Sequence, residues 1–280
     1  MKINNALKEG CNILNSKNIT SANLDSEILL SEALSIDRNN LILNLDKNIK
    51  KEEYLNYKFL INQRLLLKPI AYLIKKKEFW KSCFFVDKNV LIPRPDTETI
   101  VENALEIMRH KSVNSILEIG VGSGCIILSI LGMKKRLKAV GIDISQKALD
   151  VCKINSKNLK IYNRIKLFKS DIDKFNYGKY DMIISNPPYI NKFDLGRLKK
   201  EVLNYEPNSA LYGGIDGTVE LKKVIRKSSK LIKRKGILIL EIAYNQRRII
   251  EKMLKEYKFY IKKVVKDLAN NNRCIISIKI

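Results

Sequence analysis

The sequence of 280 residues is poor in the side chains on which several large classes of enzyme depend. Its only histidine is His110, so a Ser-His-Asp triad or a multi-histidine metal centre would have to be built around that one residue. Its five cysteines are widely spaced, form no Cys-x-x-Cys pair and are odd in number, which suits neither a disulfide framework nor a zinc site. We therefore expect free thiols in a reducing compartment and no bound metal.

Long apolar runs are also missing. The longest, such as residues 236–243, are far shorter than the roughly 20 residues that a membrane-spanning helix needs. Residues 1–9 contain no continuous apolar segment of the kind found in secretion signals. These absences predict a soluble, cytoplasmic protein without a membrane partner.

Acidic residues are scarce beside basic ones: 29 Asp and Glu stand against 53 Lys and Arg, which gives a net charge of +24. Clustered Lys and Arg would indicate binding to nucleic-acid phosphates. Here lysine is spread along the whole chain together with much Asn and Ile, as codon bias would also produce. A functional basic face and compositional bias both stay open, and direct binding of nucleic acid is not the favoured interpretation.

Changes in hydrophobic pattern divide the chain into three regions. Residues 1–75 carry apolar side chains at helical spacing and predict a small helical domain. Residues 76–93 place aromatic and β-branched residues around the polar run 87–89, which predicts a β-hairpin linker with its turn at that run. From 94 to 280, short apolar runs alternate with helical patterns, which predicts an α/β domain.

This alternation is typical of a Rossmann-like, mostly parallel sheet with helices on both faces. The predicted strands are residues 115–119, 138–143, 164–168, 180–185, 236–242 and 273–280. The predicted helices are residues 97–109, 125–134, 146–158, 218–233 and 246–257. Ligands bind beyond the carboxyl ends of such strands, so motifs at strand ends are the strongest candidates for a site.

A glycine turn, Gly120-Val121-Gly122-Ser123-Gly124, joins the first of these strands to a helix. Glycines there permit a sharp turn and let a ligand approach the backbone closely. A dinucleotide fingerprint would need Gly or Ala at Cys125, and Glu118 just before the turn disfavours a pyrophosphate. A cationic sulfonium ligand would tolerate that acid better.

Acidic residues follow the next two strands. Asp143 ends the second strand and can accept hydrogen bonds from both ribose hydroxyls of an adenosine group. Asp143 could instead cap the next helix, with Ser145 as a rival cap. After the third strand, Asp171 lies where it would face the edge of an adenine ring. Ile172, beside it, lies where its side chain would pack on the face of that ring.

The most specific motif is the proline corner, Asn186-Pro187-Pro188-Tyr189, which directly follows an apolar strand. The prolines stiffen the turn and have no N–H groups, so backbone carbonyls remain available as acceptors. An amide or aromatic amine nitrogen is a poor nucleophile because its lone pair is delocalised. The Asn186 side-chain carbonyl and the Pro187 backbone carbonyl could accept its two N–H bonds and aim it at a methyl donor, while Tyr189 packs on the planar group.

With these motifs, the sequence resembles the release factor glutamine methyltransferase family along nearly its whole length. Further segments typical of the family are residues 69–73, 78–80, 91–98, 206–211 and 214–217. The run Ile92-Pro93-Arg94-Pro95-Asp96-Thr97-Glu98 is much more discriminating than any glycine loop. The resemblance implies a seven-stranded methyltransferase sheet, a helical N-terminal domain that helps grip the substrate, and methylation of the glutamine in the Gly-Gly-Gln loop of peptide chain release factors. It implies that S-adenosylmethionine is the cofactor, contacted by residues 120–124, Asp143, Ile172 and Asn186, and that residues 186–189 hold the glutamine.

Three departures from the family pattern replace glycines. Leu67-Lys68 stands where the family has Gly-Glu, and Ile74-Lys75 replaces Thr-Gly. The run Asn270-Asn271-Asn272-Arg273 lacks a glycine that is common near the last strand.

An alternative function is methylation of an exocyclic amine on adenine, cytosine or guanine, because the same proline corner would serve a base flipped out of its stack. The basic charge fits this alternative. Against it, only about fifty residues separate Tyr189 from the strand that begins near Gly236, which leaves no room for a separate target-reading domain. The protein substrate is therefore favoured.

Overall fold

The computed structural model describes all residues, 1–280. The chain divides into two compact units, residues 1–75 with 199–205, and residues 76–198 with 206–280. Each unit has hydrophobic core clusters of its own. The segment 199–205 groups with the N-terminal helices although it lies far along the chain.

The first unit is all-helical, as the apolar spacing predicts. Its core contains fully buried leucines from three helices, among them Leu14, Leu29 and Leu41. The helices are α1 (Ile3–Asn15), α2 (Ala22–Leu34), α3 (Arg38–Leu43), α4 (Lys51–Leu65) and α5 (Ile70–Leu73). The start of α3 is fixed by Asp37, whose side chain accepts a hydrogen bond from the Asn40 backbone N–H at 2.8 Å.

A buried ion pair also holds this unit together. Arg64 of α4 donates to Asp25 of α2 at 2.7 Å and to Glu201 at 3.0 Å, and the Arg64 and Asp25 side chains are only 8% and 6% exposed. Tyr205 adds a hydrogen bond from its hydroxyl to the Leu66 carbonyl at 2.7 Å. Removing one partner of the buried Arg64–Asp25 pair costs about 3–5 kcal/mol. The contacts of Glu201 and Tyr205 attach the segment 199–205 to the same helices.

The second unit begins with the predicted β-hairpin, but its turn lies elsewhere. Strands β1 (Lys76–Phe79) and β2 (Ser82–Phe85) pair antiparallel, and the chain reverses at Trp80 rather than at 87–89. Phe79 of β1 and Phe84 of β2 are both buried, and their rings pack edge to face with centroids 6.1 Å apart. This aromatic contact stabilises the pairing of the two strands. Asp87 instead turns the following loop by accepting a hydrogen bond from the Asn89 N–H.

A seven-stranded, mostly parallel sheet forms the centre of the second unit and confirms the α/β prediction. Its strands are β3 (Ser115–Ile119), β4 (Lys138–Asp143), β5 (Ile165–Lys169), β6 (Tyr180–Ser185), β7 (Ile232–Glu241), β8 (Phe259–Lys266) and β9 (Asn272–Lys279). The strand order is β5-β4-β3-β6-β7-β9-β8, and only the pairings of β9 are antiparallel.

Helices cover both faces of this sheet. The remaining helices are α6 (Glu98–His110), α7 (Cys125–Met133), α8 (Gln146–Asn158), α9 (Lys192–Leu195), α10 (Lys200–Tyr205, which groups with the first unit), α11 (Val219–Leu231) and α12 (Arg247–Glu256). One core cluster contains residues of α6, α7 and α8, and the other contains residues of α11 and α12. Ile116 belongs to the first cluster and Leu117 to the second, because successive side chains of β3 point to opposite faces.

The sequence pattern missed strand β8 and the true length of β7. β7 begins at Ile232 rather than 236, in a stretch whose Lys233, Arg234 and Lys235 side chains are exposed. β8 lies at the edge of the sheet, where charged side chains prevent pairing with other chains. Its exposed lysines Lys262 and Lys263 are adjacent, so they interrupt the apolar–polar alternation that predicts a strand.

The three positions where glycine is replaced still adopt left-handed backbone conformations. The φ angles are +63° at Leu67, +54° at Lys75 and +66° at Asn270. A non-glycine residue in this region costs about 1–2 kcal/mol, although asparagine tolerates it better. The backbone at these three positions therefore has the conformation that glycine favours. Without glycine, that conformation is locally strained.

All five cysteines are free, and Cys152 and Cys274 are buried. None of the helices combines the length and the apolar character that crossing a bilayer requires.

Candidate active site

A cavity of about 350 Å³ lies at the carboxyl edge of the parallel strands. Its walls come from the segments that follow β3, β4, β5 and β6, together with residues 89–97 and 207–212. Four parallel strands end here side by side, so residues far apart in sequence share one wall.

The glycine turn forms one side of the cavity with backbone. Gly120 and Gly122 have φ angles of +73° and +52°, and a Cβ atom added to either would meet nothing within 4 Å. The turn is fixed because the N–H groups of Gly120 and Val121 both donate to the Ile142 carbonyl at 2.9 Å. The open space beside these glycines is therefore available to a ligand.

Gly124, the last glycine of the turn, does not line the cavity. A Cβ there would lie 2.6 Å from Cys152 Sγ and 2.8 Å from a methyl of Leu128. This glycine therefore lets α7 and α8 pack closely, while Val121 and Ser123 do line the cavity.

Asp143 also lines the cavity and ties two turns together. One of its carboxylate oxygens accepts from the Gly122 N–H and the other from the Ser145 N–H, both at 2.9 Å. Burial raises the pKa of this carboxyl, and the N–H groups oppose the rise. The alternative capping role falls to Ser145, which accepts from the Ala148 N–H at the start of α8.

Three further residues extend this side of the cavity. Glu118 is buried and accepts from the Ile127 N–H at 3.0 Å, and desolvation raises its pKa well above the ordinary range. Asp171 and Ile172 both line the cavity, and Ile172 is buried. Apart from Gly124, the residues predicted after β3, β4 and β5 thus share one cavity.

Across the cavity, the proline corner contributes Asn186, Pro187 and Pro188 to the wall. The Asn186 side-chain nitrogen donates to the Thr97 hydroxyl oxygen at 3.2 Å, so the amide is turned with its carbonyl oxygen free to accept. Ser185, just before the corner, donates from its hydroxyl to the Ile119 carbonyl and holds the ends of β6 and β3 together.

Tyr189 is not among the residues that line the cavity. Its ring packs against the core cluster on the α11 and α12 face, and its hydroxyl donates to Glu241 at 3.1 Å. The predicted packing of this ring on a planar substrate stays a prediction. A further hydrogen bond supports the proline corner: the Gln246 side-chain nitrogen donates to the Tyr189 backbone carbonyl at 3.2 Å.

The close approach of another loop to the corner depends on Gly213. A Cβ at this position would lie 2.6 Å from the Pro188 carbonyl oxygen and 2.7 Å from the Tyr189 Cα. The Gly213 N–H donates to the Ile190 carbonyl, and the Ile190 N–H donates to the Leu211 carbonyl. The segment 211–213 therefore braces the proline corner through backbone contacts.

Each polar side chain in residues 94–98 holds a different part of the unit. Arg94 forms an ion pair with buried Glu206. Asp96 forms one with Arg273 of β9, with a nitrogen–oxygen distance of 3.1 Å. Glu98 accepts a hydrogen bond from the Trp80 N–H at the hairpin turn, at 2.8 Å. Thr97 contacts Asn186 as described. The side chains of this run therefore fix the ends of several elements around one cavity.

Sequence reasoning missed Thr97, Glu241 and Arg273 as parts of this site. Glu241 is 2% exposed at the carboxyl end of β7, and Arg273 approaches both Glu241 and Tyr189 from β9. The sequence did contain a signal for Glu241, because an acid that directly follows the apolar run 236–240 is unusual unless it has buried partners. Arg273 had no such signal, since its position follows from the antiparallel pairing of β9 with β7.

Known proteins resemble this chain in both units. Residues 5–74 match the family model described as PrmC N-terminal domain, and residues 110–276 match one described as methyltransferase domain. The release factor glutamine methyltransferase of Clostridium acetobutylicum is 35% identical over 282 residues, covering 100% of this chain and 99% of the relative. The enzyme of the same name from Buchnera aphidicola is 36% identical over 249 residues, covering 89% and 90%.

Among solved structures, the ribosomal protein L11 methylase of Lactobacillus delbrueckii superposes with a TM-score of 0.50 at 19% identity, over 69% of this chain and 83% of that one. This likeness concerns the fold alone. The full-length relatives and the matched methyltransferase domain establish more: the chain belongs to the release factor glutamine methyltransferase family.

Proposed function

We propose that this protein transfers a methyl group from S-adenosylmethionine to the side-chain amide nitrogen of the glutamine in the Gly-Gly-Gln loop of peptide chain release factors. The names of relatives that match nearly the whole chain support this activity. The structural observation that supports it best is the orientation of Asn186, whose amide nitrogen is engaged by Thr97 while its carbonyl oxygen remains available in the cavity.

The cavity suits the proposed cofactor. S-adenosylmethionine, when bound, supplies an electrophilic methyl carbon on a positively charged sulfur. The open space beside Gly120 and Gly122 admits a ligand against the backbone. A positive charge would favour ionisation of the buried carboxyls of Glu118 and Asp143, whereas a pyrophosphate would oppose it, so the site suits a cation better. In this proposal Asp143 accepts from the ribose hydroxyls and Ile172 packs on the adenine ring. The other members of the glycine turn, Val121, Ser123 and Gly124, shape the same wall, Gly124 indirectly through α7.

The proline corner serves the acceptor nitrogen. An amide lone pair is delocalised into the carbonyl, so the enzyme must hold the nitrogen in a reactive orientation. In our proposal the Asn186 side-chain carbonyl and the Pro187 backbone carbonyl accept its two N–H bonds, and Pro188 keeps the corner rigid. Orientation of this kind can supply about 7–11 kcal/mol of the barrier reduction.

The contacts of Tyr189 support a positioning role, beside the substrate contact that its motif predicts. Because its hydroxyl is bound to Glu241 and its ring faces the core, we infer that it holds the corner in place. Pro187 and Asn186 are then the groups that touch the substrate, and Tyr189 acts on them through the backbone.

We further infer that the helical unit, residues 1–75, contributes to binding of the release factor. The match of residues 5–74 to the PrmC N-terminal domain supports this division of labour. Since release factors act on cytoplasmic ribosomes, the reaction would take place in the cytoplasm. Methylation of nucleic acid remains the rival, but only the basic charge favours it.

Incubation with cofactor labelled in its methyl group tests the proposal. Three acceptors would be compared: a purified release factor, the same factor with its Gly-Gly-Gln glutamine changed to alanine, and a mixture of DNA and RNA. We expect label in the first acceptor alone. Label in nucleic acid and not in the release factor would overturn the protein substrate, and label in the alanine variant would overturn the assigned glutamine.

A further inference from the structure

Glu241 is a buried carboxyl that the proposed reaction does not use. It is 2% exposed at the carboxyl end of β7, and it is not among the residues that line the cavity. A carboxyl removed from water in this way costs stability unless its neighbours compensate. Its surroundings therefore call for an explanation.

The contacts of Glu241 lead to both ends of the proline corner. Its Oε1 atom accepts the Tyr189 hydroxyl hydrogen bond at 3.1 Å. Its Oε2 atom is buried without a hydrogen-bond partner of ordinary geometry, and the Thr97 side chain is the polar neighbour that most lowers the pKa of this carboxyl. Thr97 in turn accepts from the Asn186 side-chain nitrogen at 3.2 Å.

The direction of these hydrogen bonds decides how the Asn186 amide is turned. A threonine hydroxyl has one proton to donate. If that proton is directed at an ionised Glu241, Thr97 can only accept from Asn186 and so selects its NH₂ group. The Asn186 carbonyl oxygen is then left for the cavity. A neutral group in place of the carboxylate would let Thr97 donate to that oxygen and turn the amide round.

We propose that Glu241 is a positioning residue of the methyltransferase, which holds Tyr189 directly and, through Thr97, fixes the side-chain amide of Asn186 with its carbonyl oxygen toward the substrate. This inference rests on the proposed function. It adds Thr97 and Glu241 to the machinery, although neither is required to touch the reacting nitrogen.

Burial raises the pKa of Glu241 to about 7, and Thr97, Arg273 and Tyr189 oppose the rise while Asp96 adds to it. The cysteines Cys125 and Cys274 also face this carboxyl, and burial keeps both as neutral thiols by raising their pKa values. Glu241 therefore changes charge in the pH range in which the enzyme can be assayed. Only the ionised form of Glu241 obliges Thr97 to donate its hydroxyl proton to Glu241 and to accept from Asn186. We therefore expect kcat to fall as the pH drops through 7.

The test compares Glu241→Gln with the wild-type protein and with Asp181→Asn, at saturating cofactor and over a range of release factor concentrations. Gln keeps the size of the side chain and an acceptor for Tyr189, but it cannot ionise. Asp181 is the matched control, because it is a carboxylate at the opposite end of β6 that bonds Ser115 and Lys233. We expect kcat of Glu241→Gln at pH 8 to fall roughly 30- to 100-fold, while KM for the release factor and Kd for the cofactor change less than about threefold.

A second pair of variants keeps the test decisive if Glu241→Gln folds poorly. Thr97→Val removes the hydroxyl and should lose kcat to a similar extent, whereas Thr97→Ser retains the hydroxyl and should stay within about threefold of the wild type. The wild-type kcat should show an acid limb near pH 7 that is missing in Glu241→Gln. The ¹⁵N side-chain amide resonances of Asn186 should shift with the same midpoint in the wild type only.

Three outcomes would overturn the inference: a Glu241→Gln variant with wild-type kcat, a control Asp181→Asn that loses as much, or an Asn186 amide that does not respond to pH. A wild-type protein that methylates no release factor is a different failure, because it removes the proposed function itself. The Asn186 resonances still report on the hydrogen-bond network in that case, so the two failures are distinguishable.

Discussion

On one side of the cavity the glycine turn contributes four consecutive residues, 120–123, whereas on the other side Asn186 depends on Thr97, Glu241 and Tyr189, which come from separate segments of the chain. The first side is local: its hydrogen bonds run to the neighbouring β4 and its shape follows from glycine conformations. The second side is a network of side chains. Contiguous backbone suits a cofactor common to many enzymes, while a dispersed network allows the acceptor group to be specified independently.

The network side should show the largest effect on rate. Asn186→Ala removes the acceptor proposed for the substrate N–H, and we expect kcat to fall roughly 100- to 1,000-fold. Cofactor Kd, measured by calorimetry, should change less than about fivefold, because the glycine turn is untouched. A large loss of cofactor binding in this variant would erase the distinction between the two sides.

The same network should make stability depend on pH. Glu241 has a pKa raised from 4.5 to about 7, so between these values the folded chain binds more protons than the unfolded chain. The free energy of unfolding of the wild type should therefore fall as the pH rises through this window, by about 3 kcal/mol relative to Glu241→Gln. Urea unfolding of both proteins at pH 5 and pH 8 measures this, and a difference that is the same at both pH values would contradict it.

On the backbone side, Asp143→Ala should act chiefly on affinity. It removes acceptors for the ribose hydroxyls and for the Gly122 and Ser145 N–H groups, and we expect cofactor Kd to rise roughly 30-fold. At saturating cofactor, kcat should stay within about fivefold of the wild type, because the proline corner keeps its own supports. The comparison fails if Asp143→Ala and Asn186→Ala lose affinity and turnover in the same proportion.

The smallest effect that we expect is on stability, and it concerns glycine in turns. Glycine can be needed there because φ is positive or because a ligand requires open space. At Gly120 and Gly122 both the positive φ and the open space matter, whereas at Lys75 only the positive φ of +54° does, since this side chain is exposed. Lys75→Gly should therefore raise the free energy of unfolding by about 0.5–1 kcal/mol without affecting cofactor binding.

Lys8→Gly is the control for this substitution. Lys8 is exposed within helix α1, where glycine should destabilise by about 1 kcal/mol. Thermal or urea unfolding of both variants measures the difference. A destabilised Lys75→Gly would show that the left-handed turn carries no strain worth relieving.

The two sides also differed in how well the sequence predicted them. The alternation of apolar runs and helical patterns predicted the sheet, and Gly120, Gly122, Asp143 and Asn186 were placed at strand ends that do line one cavity. Those residues are local signals, each adjacent to the strand that carries it. Gly124 and Tyr189 belong to the same motifs but face away from the cavity, because α8 and β7 occupy the space beside them.

The sequence by itself determined the fold class, the order of the motifs and the family, because periodic burial and short strand-end motifs depend on neighbouring residues. The tertiary structure alone decided that Thr97, Glu241 and Arg273 meet behind the proline corner, and that the hairpin turns at Trp80. These contacts depend on which strands pair and in what register. β9 enters between β7 and β8, and no local pattern in the chain encodes that placement.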